Sequence, residues 1–117
     1  MSIPTLLTKL VGEKRRWLQY KARTKKLPTE YRTAIDAIER YLMHNAVPDS
    51  ADSMSQMFED LADLFEQAAA DGTPVREIVG EDPVEFVETF IQNYQTPGWI
   101  AREQDRLTNA IKSVDRK

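Results

Sequence analysis

An all-α fold of about six helices, one of them very short, is what this sequence predicts, and three observations predict it. Prolines 4, 28, 48, 74, 83 and 97 cut the 117 residues into segments that each carry apolar residues at helical spacing. Only four glycines are present. No segment shows the sustained alternation of β-branched residues that marks a strand. A chain of this length fits one domain over residues 1–117. It is long enough to bury roughly two thirds of the surface its unfolded form exposes.

The first helix is expected from about Pro4 to Arg23, on the spacing of Leu7, Leu10, Lys14, Trp17 and Lys21, with Leu6, Val11 and Leu18 widening the stripe. Gly12 sits in its middle, where glycine costs roughly 1 kcal/mol relative to alanine, and suggests a close helix contact or a kink. The second helix runs from a Thr29 cap to about Ala46 with Tyr31, Ile35, Ile38 and Leu42 inward. Val47-Pro48-Asp49-Ser50 reads as a turn. The third, about Ala51 to Ala70, has the cleanest stripe: Met54, Met57, Leu61, Leu64 and Ala68, flanked by Phe58 and Phe65. Gly72 suits the left-handed residue that ends a helix.

Thr73 and Pro74 then predict a cap and first position for a helix of about a turn and a half, ending at Gly80. Such a helix is unstable alone and must be held by packing. Asp82 as cap, Pro83 first and Glu85 third give a capping-box start to the next helix, which buries Val84, Val87, Phe90, Ile91 and Tyr94. Thr96-Pro97-Gly98 repeats the cap-proline signal for a last helix from about Pro97 to Val114, with Ile100, Leu107, Ile111 and Val114 inward.

Composition narrows the function classes. With no cysteine there is no disulfide, thiolate metal site or cysteine nucleophile. Apolar runs are too short to span a bilayer, and the N-terminus lacks a signal-peptide layout. The expectation is a cytoplasmic protein. Charge is segregated. Residues 1–32 carry nine Lys/Arg against two Asp/Glu, residues 33–90 two against fourteen, and residues 91–117 five against three.

The segments Leu61-Ala62-Asp63-Leu64-Phe65-Glu66, Ala69 to Asp71, and Val79-Gly80-Glu81-Asp82-Pro83-Val84-Glu85-Phe86 resemble the bacterial "domain of unknown function 1048" family. Gly12-Glu13-Lys14-Arg15-Arg16-Trp17, Tyr20, Leu27-Pro28 and Tyr31 resemble it too. The resemblance implies a small helical domain wound as a left-handed superhelix. It also implies a setting beside transcriptional regulators of the PadR type. It carries over no catalytic residue.

The residues themselves offer little chemistry. His44 is the sole histidine, and its plain reading is a surface residue favoured by a helix C-terminus. Glu59, Asp60, Asp63 and Glu66 cluster on one helix, but without a Glu-x-x-His pair or an EF-hand loop they read as a solvated acidic face. The acidic helix after Gly80 repels phosphate and is rejected as a DNA reader. The candidate surface is the basic first helix: Lys14, Arg15, Arg16, Trp17, Lys21, Arg23, Lys25 and Lys26, with Lys9. It serves an outside partner or packs against the chain's own acidic helices three and five, and the latter is favoured because the chain as a whole is acidic.

The expected function is therefore non-enzymatic, without cofactor or metal: a protein-interaction or regulatory accessory domain whose partner is a regulator or a second copy. The alternatives are nucleic-acid or anionic-surface binding through residues 9–26, and a small-molecule sensor with a pocket among Trp17, Tyr20, Tyr31, Phe65 or Trp99.

Overall fold

The computed structural model describes residues 3–46 and 48–115, with side chains from residue 12 onward. Every regular element among them is helical: α1 Ile3–Lys25, α2 Thr29–Asn45, α3 Ala51–Asp71, α4 Val75–Val79, α5 Pro83–Ile91, a 3₁₀ turn Gln92–Tyr94, and α6 Gly98–Asp115. The all-α prediction holds, and the element order follows the proline spacing. The expected stripe residues Leu6, Leu7, Leu10 and Val11 and the turn residue Val47 lie outside the described side chains.

α1, α2 and α3 form the body. Glu59 and Glu66 of α3 each meet an arginine of α1 43 residues earlier, so α1 and α3 run parallel in a constant register. α2 runs against both: Lys21 meets Glu39, and Trp17, one turn back on α1, shares a cleft with Met43, one turn on along α2. Tyr20, Ile35, Leu42, Met57, Leu61 and Phe65 are fully or almost fully buried between the three, and Val87 and Ile91 of α5 close the core. Thr24 is the one buried polar side chain among the described residues, and its hydroxyl donates to the carbonyl of Lys21.

Two left-handed glycines build the corner that takes α3 onto α5. Gly72 (φ 72°) ends α3, and Gly80 (φ 73°, ψ −163°) ends α4. α4 has no fully buried side chain of its own. Ile78 and Val79 lean on the core, and Tyr31 of α2 donates to the Thr73 carbonyl at 2.6 Å.

The structure corrects several local expectations. Helix starts at Thr29 and Val75 follow Pro28 and Pro74 as cap residues, and neither start has a side-chain cap. Fixed φ with extended ψ lets proline itself turn the chain into the helix. Thr73 and Thr96 are thereby released from capping, and Thr96 bonds Asp49 instead. Nothing approaches the position a Cβ would take on Gly12, so that glycine serves no close contact, and α1 runs through it. Leu18, Leu64 and Val84 are exposed, while Ala62 is buried. The largest departure is α6, described below.

Candidate interaction surfaces

The basic helix is largely answered within the fold. Arg16 donates through Nε and Nη2 to both carboxylate oxygens of Glu59 at 2.9 and 2.8 Å, and through Nη1 to Asp52 at 2.7 Å. Arg23 repeats the fork two turns on, with Glu66 at 2.9 and 2.7 Å and with Asp63 beside it. Lys21 reaches both oxygens of Glu39 at 2.9 and 3.0 Å and lies 5.6 Å from the centre of the Trp17 ring. Bidentate geometry of this kind gives both strength and register.

The acidic cluster of α3 is thus the counter-surface of α1, with Asp63 still exposed to solvent. The expected pairing with α5 is replaced by pairing with α2 through Glu39. The hydrogen bonds from Arg16 hold the Glu59 carboxyl below its ordinary pKa. The same bonds push the guanidinium of Arg16 further up, as Glu66 does for Arg23. Asp60 accepts from the Tyr94 hydroxyl at 2.5 Å. Burial, then that bond, drives the Tyr94 pKa upward.

Of the eight sequence-selected residues, then, Arg16, Lys21 and Arg23 turn to acidic partners and Trp17 is half-buried. Lys14, Arg15, Lys25 and Lys26 are exposed and form no ion pair among the described residues. His44 is exposed, with Nδ1 2.9 Å from the carbonyl of Arg40 one turn back, as its plain reading expected. No group of three or more His, Cys, Asp or Glu able to hold a metal ion occurs among the described residues. No described helix is long and apolar enough to cross a membrane.

Two features are apolar and open. The first is a cleft of about 210 Å³ between α1, α2 and α3, lined by Trp17, Tyr20, Met43, Met54 and Phe58, with Glu13, Arg16 and Ser55 at its polar side. Trp17, Tyr20 and Phe58 form an aromatic triangle with each pair of ring centres 5.3 Å apart. The Tyr20 hydroxyl is buried and has no hydrogen-bond partner within bonding geometry among the described residues. Burial first, then the negative charge of Glu39, pushes its pKa up. Tyr31, Phe65 and Trp99, the other expected pocket aromatics, lie elsewhere.

The second is α6. None of its side chains is buried. Trp99, Leu107, Ile111 and Val114 are 63, 64, 54 and 66 % exposed, which overturns the inward assignment of Leu107, Ile111 and Val114. Ile100 is half-buried at the base. There α6 is pinned: Thr96 donates its backbone N–H and its hydroxyl to the two Asp49 oxygens at 2.8 and 2.7 Å, and Asp49 N–H donates to the Tyr94 carbonyl at 3.0 Å. Those two bonds from Thr96 draw the Asp49 pKa down. Amphipathic spacing in α6 was legible in the sequence, but spacing cannot say whether the covering surface belongs to the same chain.

A protein-family model described as "Protein of unknown function (DUF1048)" matches residues 8–112. No curated protein matches the chain.

Proposed function

The chain belongs to the DUF1048 family over residues 8–112, and from that premise we propose that it acts without catalysis, as a protein-interaction module whose docking element is α6. One observation carries this reading: an 18-residue helix holds an apolar stripe with no buried side chain. A helix of this length without tertiary packing is marginal in water. A firmly anchored base and an uncovered stripe suit a helix-in-groove contact.

The alternatives have weaker support. Arg16, Lys21 and Arg23 already face carboxylates, which leaves Lys14, Arg15, Lys25 and Lys26 to carry a nucleic-acid or anionic surface. The cleft of about 210 Å³ is smaller than the roughly 300–1,000 Å³ of drug-sized ligand pockets and is suited to one or two side chains. The test is a photo-crosslinking residue at position 107 or 111, activated in the source cell. Crosslinks to another polypeptide chain are expected. Products confined to the chain's own body overturn the reading.

A further inference from the structure

The chain carries both halves of an unmade contact. α6 projects an apolar stripe, and the cleft between α1, α2 and α3 offers an apolar seat that no α6 residue lines. Met43 stands at that cleft nearly half exposed. We propose that two copies of the chain associate about a two-fold axis, α6 of each lying across the cleft of the other. This rests on the interaction reading above and names its partner.

Charge and area favour a second copy. The described part of α6 balances Arg102, Arg106 and Lys112 against Glu103, Asp105 and Asp115, and the polar side of the cleft pairs Arg16 with Glu13, so the two surfaces meet without net repulsion. A strongly acidic or basic partner would leave that balance unmatched. One helix of 18 residues is about 27 Å long and about 10 Å across. Its footprint is on the order of 300 Å², well below the roughly 800 Å² per partner of a stable complex. Reciprocal docking makes each copy both donor and acceptor. The footprint then doubles to about 600 Å² per partner, the lower edge of the range for specific complexes. Simple pairing of α6 with α6 does not reach it. Reciprocal exchange also satisfies the closed, self-complementary rule of two-fold interfaces.

Sedimentation equilibrium of the purified full chain at about 1–100 μM is expected to give twice the 13.5 kDa chain mass. Leu107→Glu/Ile111→Glu and, separately, Met43→Glu are each expected to give the single mass. All three positions are exposed in the chain, and an unchanged thermal transition of the body verifies folding. Because the chain has no cysteine, Met43→Cys and Leu107→Cys chains can also be mixed and bridged with a short thiol crosslinker. The mixture is expected to give covalent dimers, and neither variant alone does. A single mass for the native chain throughout overturns the proposal. So does a dimer that survives Met43→Glu, or that crosslinks through Leu107→Cys alone, since either places α6 against α6. A native monomer that still forms an α6-dependent complex with a different protein sinks self-association and leaves the interaction reading standing. A monomer with no such complex sinks both.

Discussion

Glu59 carries a pH signature set by one ion pair. Its carboxyl titrates below the ordinary 4.5 because Arg16 bonds the charged form. A depressed carboxylate contributes stability that is complete above the unfolded pKa and is lost as pH falls through the folded one. The thermal midpoint is therefore expected to drop below about pH 4.5, and Glu59→Gln flattens that drop while lowering the midpoint at neutral pH. The side chains of Arg16 and Glu59 are 26 and 27 % exposed, so solvent screens part of the pair and the loss at pH 7 stays within about 1 kcal/mol. Gly80 makes a second residue-scale prediction. Its φ of 73° with ψ of −163° is a region only glycine occupies comfortably, so Gly80→Ala costs roughly 1–3 kcal/mol in urea unfolding. At Asp82, whose side chain accepts from Glu85 N–H at 3.1 Å, the cap was readable in advance, and Asp82→Ala costs about 1 kcal/mol. The threonines were misread because an adjacent proline, Pro28, Pro74 or Pro97, takes over the turn into the helix, and no side-chain bond is then required.

At the scale of elements, existence and order were legible and outward faces were not. Period 3.6 and proline punctuation locate helices because both act within a few residues of the chain. Whether Leu18, Leu64 or Val84 is covered depends on which neighbour arrives, and that neighbour is set by distant sequence. The candidate site shows the same division. The excess of basic charge in α1 was visible, and its internal use was foreseen, but the partner helices needed the register of 43 residues to be known. α4 is the element most dependent on others. With no buried side chain, it leans on Ile78, Val79 and the bond from Tyr31. Tyr31→Phe is expected to cost about 1 kcal/mol. It should also speed amide hydrogen exchange over residues 73–79 more than in α3, which distinguishes loosening of α4 from general destabilisation.

The whole molecule is far from spherical. Its radius of gyration is 18.3 Å over extents of 62 × 37 × 24 Å, against about 13 Å for a globular chain of this length. α6, none of whose side chains is buried, contributes to that elongation. Small-angle scattering of the Leu107→Glu/Ile111→Glu monomer is expected to stay near 18 Å. A value near 13 Å would mean that α6 folds back onto its own body. The parallel register of α1 and α3 has a temporal consequence. Every α1–α3 contact closes a loop of about 40 residues, whereas α3, α4 and α5 meet through neighbours in sequence. Loop closure must be paid before distant contacts return anything. During folding, α3 to α5 can condense while α2 finds its place, and α1 zips on last along a ready-made row of carboxylates. Substitutions at Arg16 and Arg23 should then accelerate unfolding and leave the folding rate almost unchanged.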